Sequence, residues 1–308
     1  MRVLITGAGG FVGPYLFDEL MRHGHEALSS DIRGSVDYNL DLLDAGAVLR
    51  HFSECRYDAI VHLAGYSSVA RSWKKPKAAL EMNIFPLLHI LDAISISSPD
   101  TRVLVIGSAD QYGIVSNGNV YLDESEPCIP NSPYAISKYA QERLAISIAA
   151  EKKLDVVLTR SFNHIGPGQE TGFVVADFAS AIAGIIHGAD PIIRTGNTKA
   201  YRDFTDVRDV ARAYRLLVER GKSREVYNVG SGRLYSIQFI LDTLVAKSGI
   251  SICMQADAKR TRPVDVLKLG CCNNKINNDT GWNADIPIED SLQTVLDYWI
   301  RKYASHSQ

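Results

Sequence analysis

A tyrosine followed four residues later by a lysine, as in NSPYAISKYAQ (131–141), becomes a proton-exchange pair if both lie on one face of a helix. Ser132 suits a helix N-cap and Pro133 the first helical position. Tyr134 and Lys138 are then neighbours at i and i+4. A free tyrosine titrates near pH ~10, too high to exchange protons readily at neutrality. A cation within about 4–6 Å favours the phenolate by roughly one to three pH units. Acid–base catalysis of that kind gives about 10²–10⁴-fold in rate. Taken alone, Tyr-x-x-x-Lys also fits an ordinary amphipathic helix, so its surroundings decide.

The second candidate is TGAGGFVG (6–13), where Gly7, Gly10 and Gly13 are spaced G-x-x-G-x-x-G and Gly9 adds a fourth glycine. One glycine lets the chain turn sharply out of a strand, a second lets backbone approach a pyrophosphate, and a third lets the next helix pack closely. Phe11 and Val12 complete the turn that would cradle a dinucleotide. Asp31, about 20 residues on, stands where a carboxylate accepts hydrogen bonds from the adenosine ribose. A carboxylate there opposes a 2′-phosphate and favours NAD. Arg33, two residues later, could hold that phosphate instead, so the choice between NAD and NADP stays open.

These residues need a scaffold. RVLITG (2–7), HEALSSD (25–31), DAIVHLAG (58–65), RVLVIGS (102–108) and DVVLTRSFN (155–163) are short apolar strands. Helical patterns lie at 11–24, 76–97 and 133–153. Continuous apolar strands alternating with helices imply a parallel sheet buried on both faces, a doubly wound α/β (Rossmann) fold. After about residue 160 loops, Gly and Pro become frequent. We expect a dinucleotide-binding domain at 1–160, rejoined by 204–230, and a smaller α/β substrate-binding region at 161–308. Residues 202–221 are expected to form a turn and a helix, and EVYNVGS (225–231) a strand.

Bulk properties narrow the function. The chain has 308 residues, 46% hydrophobic and 22% charged, with a net charge of -2. That is an ordinary globular composition, with nothing that calls for nucleic acid or an anionic membrane as partner. No unbroken apolar run reaches the roughly 18 residues of a bilayer span, and MRVLITG reads as a first strand, not a signal peptide. Cys55, Cys128, Cys253, Cys271 and Cys272 form no CxxC pair, which points to reduced thiols in the cytoplasm and no metal site.

Together with HLAG (62–65), Asn83 in EMNIFP, GSADQYG (107–113), PYAISK (133–138), RSFNHIGPGQ (160–169), YRDFTDVRD (201–209) and RPVDV (262–266), these motifs make the chain resemble the extended short-chain dehydrogenase/reductases that act on nucleotide sugars. The resemblance runs nearly the whole length. It implies that Tyr134 exchanges a proton with a sugar oxygen and that Ser108 hydrogen-bonds the same oxygen. It implies that Lys138 holds the nicotinamide ribose and lowers the Tyr134 pKa. Asp41 and Leu42, with Leu63 and Ala64, would line the dinucleotide. Asn163 and Arg202 would hold the substrate's diphosphate, with Arg262 a further candidate. Ser67, Asp110, Val174 and Asn197 would complete the substrate site. For Arg202 and Arg262, surface pairs with Asp203 or Asp265 are the plain alternative.

Within that family, 4-keto reduction, 4-epimerisation and 4,6-dehydration share this machinery. The dehydratases usually carry Thr at Ser108, Glu at Asp110 and His at Ser68. AGYSSVARSW, FNHIGPGQETGFVVADFA and RDFTDVRD resemble instead the reductases acting on GDP-4-keto-6-deoxy-D-mannose to form GDP-D-rhamnose. The expectation is therefore an enzyme reducing a GDP-linked 4-keto-6-deoxy sugar with NADH or NADPH. Epimerase and dehydratase are the alternatives, and a non-enzymatic dinucleotide sensor a remote one. Helices near 80–97 and 133–153 resemble the pair that joins two subunits in this family, implying a homodimer.

Overall fold

The computed structural model describes residues 1–113, 120–257 and 267–306. Arg262, with the rest of RPVDV, falls outside them.

The first half runs β1 (Arg2–Thr6), α1 (Gly13–Arg22), β2 (Glu26–Asp31), β3 (Tyr38–Asn39), α2 (Ala45–Glu54), β4 (Ala59–His62), α3 (Val69–Lys74), α4 (Pro76–Ser97), β5 (Arg102–Ser108), β6 (Tyr121–Leu122), α5 (Pro133–Lys152) and β7 (Val156–Ser161). The second half runs β8 (Asn163–Ile165), α6 (Val174–Ile186), β9 (Ile192–Thr195), β10 (Tyr201–Asp206), α7 (Val207–Arg220), β11 (Val226–Val229), β12 (Leu234–Ser236), α8 (Ile237–Ser248), β13 (Cys253–Ala256), β14 (Lys268–Cys271), α9 (Asn274–Thr280) and α10 (Ile288–His306).

The main sheet is parallel, in the order β11-β7-β5-β4-β1-β2-β3. Its central strands β1 and β4 are mostly apolar because both faces are covered. Val3 and Ile5 pack with Leu16 and Leu20 of α1 and Val210 and Tyr214 of α7. On the other face Leu4 and Ile60 pack with Phe52 of α2, Leu87 and Ile90 of α4, and Ala145 of α5. The chain builds outward from β1 to β3, then returns to lay β4 on β1's other side. That reversal opens a crevice at the carboxyl ends of β1 and β4, where Rossmann folds bind dinucleotides.

The second sheet runs β12-β10-β14-β6, with β8 also on β10. Its core lies among α6, α8 and α10, around Phe178, Leu241, Leu292 and Trp299. Residues 201–206 correct the expected turn: they are strand β10. Asp203 and Asp206 suggest a loop in the sequence, yet both are buried and spend their carboxylates on internal donors.

Averaged over 18 residues, α4 is apolar and long enough to cross a bilayer, with a mean hydropathy of 1.4. In the fold it packs against α2 and α5 and buries the amide of Asn83.

Candidate active site

β1 ends in the glycine turn. Gly7 has φ +72, and a Cβ on it would come within 2.5 Å of the Ala64 nitrogen. A Cβ on Gly13 would meet the Ala8 carbonyl at 2.0 Å, so that glycine lets α1 pack against the turn. Asp31, the last residue of β2, reaches across to this turn. Its carboxylate accepts from the amides of Gly9 at 3.1 Å and Ile32 at 2.7 Å. Ser30 beside it has a buried hydroxyl with no partner among the described residues. Asp41 caps its own loop by accepting from the Leu43 amide at 2.9 Å. A glycine-lined cradle at a helix start, an anchored carboxylate and a spare hydroxyl fit a dinucleotide.

Helix α5 starts as its sequence requires. The Ser132 hydroxyl accepts from the Ala135 amide at 3.1 Å, and Pro133 follows. Asn83 ties this helix start to the loop after β4. Its amide oxygen accepts from Tyr66 N at 2.7 Å and its nitrogen donates to the Ser137 hydroxyl at 2.8 Å. The Lys138 ammonium donates to the Ile106 carbonyl at 2.8 Å and to the Gln141 side-chain oxygen at 3.1 Å, leaving one proton for a ligand. Burial lowers its pKa to about 8.

Tyr134 is only 8% exposed, and the Ser108 hydroxyl is near enough to favour its phenolate slightly. Burial, reinforced by the nearby Asp110 carboxylate, pushes its pKa up. Desolvation sets this direction, opposite to the lowering expected from the lysine. Raised in this way the phenol is a weaker acid, so donation from Tyr134 needs a cation that stabilises its phenolate. Ser108 ends β5, where its hydroxyl accepts from the Asp110 amide at 3.2 Å and lies 3.4 Å from the Asp110 carboxylate.

The opposite wall comes from the second sheet. Asn163 on β8 donates to the Asp203 carbonyl at 3.1 Å, and Arg202 on β10 donates to the Tyr201 carbonyl at 2.8 Å. The buried Asp203 carboxylate anchors β10 to the 230–232 loop through the amides of Ser231 and Gly232, each at 2.8 Å. Burial raises its pKa to about 6. Phe11 of the glycine turn stacks on His164 at 5.9 Å between ring centres, joining the two walls.

Between the walls lies one continuous cleft of about 1360 Å³. It is lined by Ser108, Tyr134 and Lys138; by Gly7, Gly10, Phe11, Val12, Asp31, Asp41, Leu42, Leu63 and Ala64; and by Ser67, Asp110, Asn163, Val174, Asn197 and Arg202. Gly13 lies beneath it, and Arg33 is exposed and absent from the lining. Glu170 and Arg194 also line it and were not singled out from sequence. Arg194 lies two residues before Gly196 on β9, so alternation along a correctly assigned strand would have flagged it.

The family model described as GDP-mannose 4,6-dehydratase matches residues 4–295. The chain is 32% identical to the GDP-6-deoxy-D-mannose reductase of Pseudomonas aeruginosa, covering 97% of each. Among solved structures it matches RMD from Pseudomonas aeruginosa complexed with NADPH, at TM-score 0.89 and 30% identity, covering 98% of this chain and 100% of that one. It also matches the UDP-glucose 4-epimerase of Thermus thermophilus complexed with NAD, at TM-score 0.85 and 26% identity, covering 97% and 99%.

Proposed function

Because the chain belongs to the GDP-mannose 4,6-dehydratase family of extended short-chain dehydrogenase/reductases, we propose that it reduces the 4-keto group of GDP-4-keto-6-deoxy-D-mannose to give GDP-D-rhamnose. The observation that carries this is the meeting of a protonated, buried Tyr134 with Ser108 and Lys138 in a cleft that joins the dinucleotide cradle to the Arg202 wall. The chain is a nicotinamide-dinucleotide-dependent enzyme of nucleotide sugars. The reduced dinucleotide, when bound, supplies the hydride. Ser108 and Tyr134 grip the 4-keto oxygen, and Tyr134 gives it a proton as negative charge develops there. Lys138, an ammonium below about pH 8, stabilises the resulting phenolate and offers its remaining proton to the nicotinamide ribose. Asn163 and Arg202 hold the diphosphate, whose oxygens suit a guanidinium fork. Gly7, Gly10, Phe11, Val12, Asp31, Asp41 and Leu42 hold the dinucleotide.

This division of labour assigns 1–160, with 204–230, to the dinucleotide and 161–308 to the substrate. Supplies of reduced dinucleotide and nucleotide sugars place such an enzyme in the cytoplasm. The direct test offers GDP-, dTDP- and UDP-linked 4-keto-6-deoxy sugars with NADH or NADPH. Oxidation of the cofactor at least tenfold faster with the GDP sugar is expected. Equal rates with all three would remove the base assignment, and no oxidation with any would remove the reaction.

Cofactor choice turns on Asp31. Its carboxylate also holds the Gly9 amide, so Asp31→Asn keeps an acceptor while removing the charge that repels a 2′-phosphate. The ratio of kcat/KM for NADPH over NADH should rise about tenfold, equivalent to roughly 1.4 kcal/mol. An unchanged ratio in steady-state kinetics would show that Asp31 does not read the ribose.

We also propose a homodimer through the packed pair α4 and α5, which leaves Leu80 and Phe85 of one helix and Ile136 and Leu144 of the other exposed. Two copies meeting on this face form an isologous contact. Light scattering at micromolar concentration should give twice the chain mass, and Phe85→Lys should shift it to the monomer. A monomeric wild type would contradict this.

A further inference from the structure

One buried polar chain behind the site is used neither by the cofactor cradle nor by the substrate wall. The Gln111 side chain is fully buried in the short 3-10 turn Ala109–Tyr112. Its oxygen accepts from the Ser108 amide at 2.8 Å, and its nitrogen donates to a Glu142 carboxylate oxygen at 2.7 Å. Glu142 lies on α5, four residues beyond Lys138 and eight beyond Tyr134, and so on the same helix face. Arg160 of β7 closes the chain with a two-pronged pair to Glu142 at 2.8 and 2.9 Å. The guanidinium lies 4.9 Å above the Tyr112 ring. Gly107 makes room: a Cβ there would come within 2.5 Å of the Gln111 oxygen.

Removing an ion pair from water costs several kcal/mol per ion, and well-packed apolar residues often stabilise a core as well or better. What apolar side chains cannot supply is direction. Here the chain of hydrogen bonds links the backbone of Ser108 to the helix carrying Tyr134 and Lys138. We propose that Gln111, held in place by Glu142 and Arg160, is a positioning residue that fixes the Ser108 hydroxyl against Tyr134. It touches neither substrate nor cofactor and acts through the Ser108 backbone alone. This deepens the reductase reading and rests on it for its kinetic test. A misplacement of about 1 Å at a reacting centre can cost about 10²-fold in rate.

The test is a double-mutant cycle with Gln111→Met and Ser108→Ala. Gln111→Met removes both hydrogen bonds at nearly constant volume. It should lower kcat at least about tenfold, with KM and dinucleotide affinity held within about twofold. In the Ser108→Ala background the same change should cause no further loss, because the group it positions is gone. A purely structural role predicts that the two losses multiply, and that result, or a wild-type kcat in Gln111→Met, would overturn the proposal. Native-state amide exchange gives a readout independent of turnover. The Ser108 amide should exchange at least tenfold faster in Gln111→Met, while the Leu104 and Ala145 amides keep their protection. Unchanged Ser108 exchange would also overturn it. If Gln111→Met does not fold, Gln111→Asn, polar but too short to span Ser108 and Glu142, takes the same measurements with the same outcomes. Failure of the wild type to reduce any 4-keto sugar would instead sink the reaction assignment and leave the exchange result to judge Gln111.

Discussion

Replacing Tyr134 by phenylalanine lowers kcat by at least about 10²-fold and leaves dinucleotide affinity nearly unchanged. The ring keeps its packing at the start of α5, while the only lost group is a hydroxyl that faces Ser108 inside the cleft. Loss of a positioned proton donor typically costs about 10²–10⁴-fold. The fall should appear in kcat and kcat/KM alike, as for an interaction made in the transition state. Single-turnover kinetics beside a dinucleotide titration separate the two effects. Wild-type turnover in this variant would remove Tyr134 from the chemistry.

Lys138→Met should damage both binding and rate, because one ammonium is proposed to serve the ribose and the phenolate. We expect kcat to fall at least about 10²-fold and dinucleotide affinity about tenfold, the latter being roughly 1.4 kcal/mol. The pH profile distinguishes charge from packing. Lys138 titrates at about 8 because burial disfavours its charged form. It is an ammonium below that pH and neutral above, so kcat/KM should fall as pH rises through about 8. In Lys138→Arg, whose side chain stays charged, any remaining activity should lack that alkaline limb. A wild-type limb in that variant would show that another group titrates there.

Much of the site was legible because local rules wrote it. Ser132 and Pro133 start α5 where capping and φ preferences place it, and that start fixes Tyr134 and Lys138 on one face. Asp31 ends β2 within reach of Gly9, as the interval from the glycine turn suggests. Solvation and long-range pairing were not legible. Asp203 looks like a turn residue in sequence, yet it takes the amides of Ser231, Gly232 and Cys271 from distant segments. The net direction of the Tyr134 pKa depends on burial that only packing creates, which the lysine spacing does not report. Gln111 and Glu142 are 31 residues apart, and no periodicity joins them. Helix α6, whose apolar face packs on α8 and α10, was hidden behind a loop-rich stretch.

The proposed reaction is net hydride delivery to C4 of a GDP-linked keto sugar. The measurement that reaches it most directly uses a reduced dinucleotide carrying deuterium at the transferable position, with GDP-4-keto-6-deoxy-D-mannose as substrate and mass and proton spectra of the isolated sugar as readout. Reduction as proposed gives one oxidised dinucleotide per sugar, one deuterium at C4 and the rhamno configuration. An epimerase or a dehydratase returns its hydride within the cycle. A sugar without deuterium at C4, or turnover with no net oxidation of the dinucleotide, would contradict the assignment.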